Sequence, residues 1–463
     1  MENNEFGTEK IGKLMMRFAI PAVISMIVNS LYNIVDQIFI GWGVGYLGNA
    51  ATNVVFPFVI LSMGVAFMIG DGAASYFSLK LGEGRMKAVQ SSLGNALIMS
   101  SVAGVSFMIL GLLFLQPIFQ LLGATAAVMP YALSYGRIIM FGMPFACVGM
   151  ALSAIIRADG SPNFTMVSML TGAILNTILD PVFIFVFGWG VEGAALATVI
   201  GQFASFVLNI YYLKRFKTFK VTKEFLKPNG HTMKRIVALG TASFIGQFAA
   251  TVVMTLVNNM LVHYGGLSVY GPEIPLAAVG IVLKVSQIML GVVIGLAVGA
   301  QPILGYNYGA RNYARVKETY KKTMVMSIAV MTVAFVVFQF APHLLVGLFG
   351  TGEPLYNEFA VKCFRIFMAA CILIGFNDIT GIYFQAVGKS LQSTVVSLAR
   401  QILFFVPILV VLPMFMGLEG ILYSGPIADV ISFLLTSFLM YREMKKLTAL
   451  EQDKLQAAQG VLA

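Results

Sequence analysis

Ile20 to Trp42 reads IPAVISMIVNSLYNIVDQIFIGW, an apolar run that holds a single acid, Asp36. Wound as a helix at about 1.5 Å per residue, it is long enough to cross a hydrocarbon layer of about 30 Å. Ser25, Asn29, Tyr32 or Asn33, and Asp36 follow one another every three or four residues, so they form one polar stripe down that helix. An ionised carboxylate near mid-bilayer costs roughly 2.5 to 3.5 kcal/mol on insertion scales. The stripe is therefore expected to face protein or a watered cavity, and Asp36 is expected to be functional. Pro21 removes one backbone donor near the start of the run and marks a candidate hinge.

The rest of the chain has the same character. Of its 463 residues 58% are hydrophobic and 11% charged, too few polar groups to cover an ordinary soluble domain. Apolar stretches fall at about 14–41, 52–80, 90–115, 130–157, 163–187 and 192–213, then at 234–264, 276–305, 318–340, 356–386, 393–416 and 419–441. The spacing predicts an all-α polytopic membrane protein with twelve transmembrane helices. The polar start MENNEFGTEKIGK lacks the short apolar core of a secretory signal, so the first helix is expected to stay in the mature protein. Cys147, Cys363 and Cys371 lie inside apolar runs without metal-ligand spacing and read as packing residues.

The net charge of +10 is a topology signal rather than a nucleic-acid footprint. Basic clusters at Lys10/Lys13/Arg17, Lys80/Arg85/Lys87, Leu213–Arg235, Arg311 to Lys322 and Arg442 to Lys454 fall on one side if the spans alternate. The opposite loops, including WGVGYLGNA, GWG and PHLLVGLFGTGEP, contain no Lys or Arg. Both termini are predicted to be cytoplasmic. The chain divides into a first lobe, 1–213, a basic linker, 214–235, a second lobe, 236–445, and a tail, 446–463, expected to be a frayed helix. The halves repeat: GEGRMKAV from Gly82 aligns with GARNYARV from Gly309, and GVEG from Gly190 with GLEG from Gly417, both at an offset of 227. ADGSP from Ala158 aligns with AVGKS from Ala386 at 228. Six spans per half give parallel repeats and a central cleft between two pseudo-symmetric lobes.

Few charges lie deep in the predicted spans: Asp36, Asp71, Asp180, Lys284, Asp378, Arg400 and Asp429. In LTGAILNTILDP, Asn176 and Asp180 project from one helix face just before Pro181. If Asp36 and Asp180 converge they supply two hard oxygen donors, with Asn176 a third and Thr198 a candidate fourth, suited to a hard cation or shared protons. Gln247 belongs to a second polar stripe, Ser243 to Asn259, that lacks an acid; Asp378 is that half's best acidic candidate. Arg400 and Asp429 are expected to satisfy each other. No HExxH, GxSxG or P-loop pattern occurs, so neither an enzyme nor an ATP-driven pump is expected.

The first-helix run FAIPAVISMIVNSLYNIVDQIFIG, the fifth-helix ILNTILDP and the repeated segments resemble the multidrug and toxic compound extrusion (MATE) family over about residues 10–445. Pro21, Asp36 and ILNTILDP place the resemblance nearer the DinF-like and MepA-like branch than the NorM-like branch. It implies a secondary antiporter exporting bulky organic cations in exchange for H⁺ or Na⁺ by alternating access. The coupling site it implies is Asp36, Asn176, Asp180 and Thr198. Tyr32 and Ser153 are implied close to the lobe cavity, beside Asn29 and Asn33 of the stripe. NorM-like members carry carboxylates on the seventh and tenth helices; here the tenth-helix acid is Asp378 and the seventh-helix position is Gln247. No cofactor is expected beyond the coupling ion, and no metal beyond Na⁺. Organic cation drugs or toxins and membrane lipids are the expected partners, nucleic acid is not, and a monomer in the plasma (inner) membrane is expected. The rivals are a lipid-linked oligosaccharide flippase, which calls for several cavity Arg or Lys, and a non-transport receptor.

Overall fold

Inside a bilayer every backbone N–H and C=O must find a partner within the protein, and for apolar runs of this length the helix supplies one. A computed structural model describes residues 5–348 and 354–460. The remainder of the loop predicted to lack Lys and Arg, 349–353, and the tail end, 461–463, lie outside the described residues. The first lobe contains α1 (Ile11–Val44), α2 (Tyr46–Gly82), α3 (Met86–Leu113), α4 (Met129–Ala158), α5 (Pro162–Pro181) and α6 (Gly190–Tyr212). The second contains α7 (Gly230–Gly266), α8 (Glu273–Gly309), α9 (Tyr313–Phe340), α10 (Pro354–Phe367), α11 (Cys371–Ala386), α12 (Ser390–Met416) and α13 (Leu418–Gly460). Eleven described helices are long and apolar enough to cross a membrane, and α10 with α11, bent by 47°, makes a twelfth span. Eleven of the twelve predicted stretches thus coincide with one span each, and the twelfth, 356–386, with that bent pair.

Local departures have local causes. Pro181 disrupts the regular ladder at the end of α5, and Val182–Val186 continues as a π-helix. A second π-helical stretch, Ala399–Phe405, lies inside α12. Pro21 sits within an unbroken α1, and the Ser25 hydroxyl donates to the Pro21 carbonyl at 2.8 Å. The predicted tail is the continuation of α13, which stays helical to Gly460 rather than beginning a separate segment at 446.

The internal repeat extends to the backbone. Gly160 and Gly388 both adopt positive φ, 88° and 84°, at the turns that follow α4 and α11. Gly84 (73°) is matched by Arg311 (57°), the one described non-glycine residue with positive φ.

α1 begins and α13 ends on the same face, the terminal face. The linker is held there by Asp159, which accepts from Lys217 N and Thr218 N at 2.8 and 2.9 Å and from the Tyr212 hydroxyl at 2.8 Å. Near α7, Asn229 N donates to Asn95 Oδ1. The turn Glu5–Thr8 docks on the other lobe, where Arg315 and Asn307 donate to the Phe6 carbonyl at 3.0 and 2.9 Å.

The lobes meet along α1 against α8 and α2 against α7. In the terminal half contact is backbone to backbone: a Cβ at Gly299 would lie 2.8 Å from Ala19 Cα, and one at Gly240 would overlap the Met68 carbonyl. Two polar bridges cross the same region, Ser243 to Asp71 at 2.9 Å and Gln301 to Ser75 at 2.9 Å. Toward the opposite face the helices part, leaving Asn29 and Asn33 on α1 and Thr255 and Asn259 on α7 exposed. The result is a cleft closed at the terminal face and open at the other.

Candidate functional site

The polar groups of the first lobe converge where α1, α5 and α6 pack together. Asp36 projects from α1 into the lobe, while Asn29 and Asn33 on the same helix remain exposed. Four residues separate Asn176 from Asp180, one turn of α5, so the amide reaches the carboxylate: Asn176 Nδ2 donates to Asp180 Oδ1 at 3.3 Å. The same amide donates to Thr198 Oγ1 on α6 at 3.2 Å. Asp36 and Asp180 lie within hydrogen-bonding reach of each other. The four residues predicted as a coupling site are therefore neighbours.

Asp36 Oδ1, Asn176 Oδ1 and Asp180 Oδ2 are buried without a hydrogen-bond donor among the described residues. No Lys or Arg of the described residues acts on either carboxyl. Buried polar atoms normally find partners, and two carboxylates in contact cannot both keep a charge cheaply. Two like charges about 4 Å apart repel by about 4 kcal/mol at an effective dielectric of about 20. A proton between the carboxyls, or a small hard cation taking the free oxygens, removes that repulsion. No group of three or more His, Cys, Asp or Glu suited to a transition metal occurs among the described residues.

Two aromatic residues complete the surroundings. Tyr32, predicted for the cavity, lies close enough to interact electrostatically with Asp36 and Asp180. Tyr135 on α4 is buried and acts on the same two acids. Sequence reasoning missed Tyr135, because a lone tyrosine near the end of an apolar helix has no periodic signature. Asn33 Nδ2 donates to the Asn29 carbonyl at 2.6 Å, which leaves the Asn29 side chain facing the cleft.

Ser153 is elsewhere. It lies eighteen residues beyond Tyr135 on α4, about 27 Å along the helix axis. There its hydroxyl accepts from Asn209 Nδ2 at 3.0 Å and its carbonyl from Thr165, bonds that join α4, α5 and α6 near the terminal face.

The second lobe assembles a different cluster. Arg400 Nε donates to Asp429 Oδ1 at 2.8 Å, the pairing expected from sequence, and its Nη1 lies 3.9 Å from Asp378 Oδ1. Gln247 is not brought to this group by any described hydrogen bond; it packs on α2 at Gly64, where a Cβ would lie 3.6 Å from Gln247 Cβ. Asp71 bridges the lobes through Ser243, with Arg157 acting on it from α4.

The profile of the MatE family matches residues 21–182 and 242–411. Multidrug export protein MepA of Staphylococcus aureus (strain N315) is 27% identical over 445 residues, 96% of each chain. Its counterpart in Staphylococcus haemolyticus (strain JCSC1435) is 28% identical, again with 96% of each chain covered. Among solved structures, an outward-facing multidrug resistance MATE family transporter of the MOP superfamily superposes with a TM-score of 0.89 at 22% identity, over 96% of this chain and 98% of the other. That last likeness speaks to fold.

Proposed function

The chain belongs to the MatE family, and from that premise we propose that it is a secondary antiporter that exports multiple bulky organic compounds carrying a positive charge. Inward movement of H⁺ or Na⁺ drives it. The observation that carries this reading is the base-free pair Asp36–Asp180, buried beside the cleft, in which Asn176 holds Asp180 Oδ1 while Asp36 Oδ1 and Asp180 Oδ2 are left without a donor among the described residues.

The mechanism follows from charge. With the pair ionised, two negative charges attract a cationic cargo to the cleft. When the pair takes up a proton or Na⁺, that attraction falls and the cargo leaves. Linkage makes the opposition reciprocal: the factor by which the ion lowers drug affinity is the factor by which the drug lowers ion affinity. A membrane potential negative inside adds about 2.3 kcal/mol per charge per 100 mV to any net inward charge movement. Alternating access requires the terminal-face seam of α1 on α8 and α2 on α7 to open as the cleft closes, with Pro21 the weak point of α1.

The terminal face is assigned to the cytoplasm and the protein to the plasma membrane, since the basic clusters lie on that face and the opposite loops carry none. One chain contains both lobes and the whole cleft, which supports a monomer. A flippase for pyrophosphate-linked cargo has less support, because Arg400 is already held by two aspartates.

Ethidium efflux from proteoliposomes under an imposed pH gradient, and separately a sodium gradient, tests the proposal. Wild type is expected to expel the dye with one gradient and to lose that activity in Asp36→Asn and Asp180→Asn. Folded protein that moves neither ethidium nor other organic cations under either gradient would refute it.

A further inference from the structure

A groove of about 500 Å³ opens near the terminal face between the starts of α1 and α9, away from the central cleft. The two helices belong to different lobes and run in parallel from that face, so their side chains can be compared by depth. Nearest the face, α9 contributes Glu318, Lys321 and Lys322. One turn deeper, Val325 follows Lys321 and Met326 follows Lys322, while Met16 follows Gly12 on α1. The lining therefore changes from basic to apolar within about 6 Å of depth.

Glycine at position 12 keeps the α1 side of the groove open. A Cβ there would lie 3.7 Å from Lys322 Nζ, which places the ammonium over the α1 backbone, across the seam between the lobes. Underneath, Met15 is buried and its sulfur accepts from the Thr323 hydroxyl at 4.0 Å, closing the floor. Met16 and Val325 remain 48% and 58% exposed, and Ile20 and Ile328, a turn further along each helix, are exposed as well. On membrane-spanning helices that exposure is toward lipid, so an apolar track leads from the groove into the hydrocarbon.

The two lysines keep donors to spare. Lys321 has no hydrogen-bond or ion-pair partner among the described residues. Lys322 pairs with Glu318 at 2.6 Å, but an ammonium carries three donors and an exposed pair of this kind is weak. On α1, by contrast, Lys13 and Arg17 are engaged by Glu5 and Glu9. A ligand that complements the groove has a negative head at the membrane surface and an apolar tail pointing inward. We propose that the groove is a binding site for one anionic phospholipid, its phosphate on Lys321 and Lys322 and an acyl chain along Met16 and Val325. Basic pockets between membrane helices take anionic headgroups in this way. The assignment does not depend on the export reading.

Native mass spectrometry of the purified full-length protein, titrated separately with dioleoyl phosphatidylglycerol and dioleoyl phosphatidylcholine, reads the affinity of the first bound lipid. Wild type is expected to prefer phosphatidylglycerol by about tenfold or more. The double variant Lys321→Gln with Lys322→Gln should lose that preference. Gly12→Phe, which fills the groove but leaves both lysines in place, should lose it as well. Lys445→Gln with Lys446→Gln, at another basic cluster of the same face, should leave it unchanged. Wild type without the preference overturns the proposal, as does a preference that survives in either groove variant. Equal loss in the Lys445 and Lys446 variant, which would mean general surface charge, and displacement of the lipid by inorganic phosphate, which would mean a free-anion site, each overturn it too.

Discussion

The first lobe brings Asp36 and Asp180 together with Asn176, Thr198 and Tyr135 but no base, whereas the second sets Asp378 and Asp429 on either side of Arg400. Both clusters adjoin a π-helical stretch, Val182–Val186 in one half and Ala399–Phe405 in the other. Pseudo-symmetric lobes have thus neutralised paired acids in different ways. In the second lobe the cation is a permanent side chain, so the cluster can hold helices together without taking anything from solution. On the antiport reading proposed above, the cation of the first lobe is a visitor. Burying carboxylates without a resident partner costs stability, and the cost is intelligible where the visiting cation is what the protein responds to.

The sharpest way to break this contrast is to neutralise the first-lobe acids. Asp36→Asn and Asp180→Asn are each expected to bring gradient-driven dye efflux down to the level of empty liposomes while the protein still inserts and purifies. Arg400→Met should do the reverse. It strands two carboxylates, which costs about 3 to 5 kcal/mol when one partner of a buried pair is removed. A large drop in melting temperature in detergent is expected, with efflux per folded molecule retained.

Asn176→Ala should have an intermediate effect. It removes the amide that joins Asp180 to Thr198, and leaving buried acceptors unsatisfied costs about 1 to 3 kcal/mol. Coupling-ion affinity, measured by the gradient needed for half-maximal efflux, is expected to weaken by about tenfold. Asp378→Asn should be the mildest, since Asp429 still holds Arg400 at 2.8 Å; a change in efflux within about threefold is expected for a peripheral, partly exposed ion pair. If Asp378→Asn instead matched Asp36→Asn, the division of labour between the lobes would be wrong.

The sequence discloses what is periodic. Apolar length placed all twelve spans, the four-residue spacing of Asn176 and Asp180 put both on one face of α5, and near-constant offsets exposed the repeat down to paired positive-φ turns. Contacts between distant segments were not legible. Nothing near Tyr135 signals that it lies within electrostatic range of two acids on other helices. Ser153 shares a helix with Tyr135 but sits about 27 Å away, a separation that only the helix register reveals. Asp71 meets Ser243 across the lobe seam, and Asp159 pins the linker through backbone amides, a kind of contact with no side-chain pattern. Lys284 stands out in sequence only as a deep charge; the way it faces depends on which face of α8 packs against α1.

On the proposed mechanism, cargo and a cation compete at Asp36–Asp180 and not at Asp378–Asp429. Cation release on adding ethidium to purified protein tests it directly, followed as protons in weakly buffered solution and, in parallel, as bound sodium. Release of one of these ions is expected from wild type and from Asp378→Asn, and none from Asp36→Asn or Asp180→Asn. Release that survives in both first-lobe variants but disappears in Asp378→Asn would contradict it.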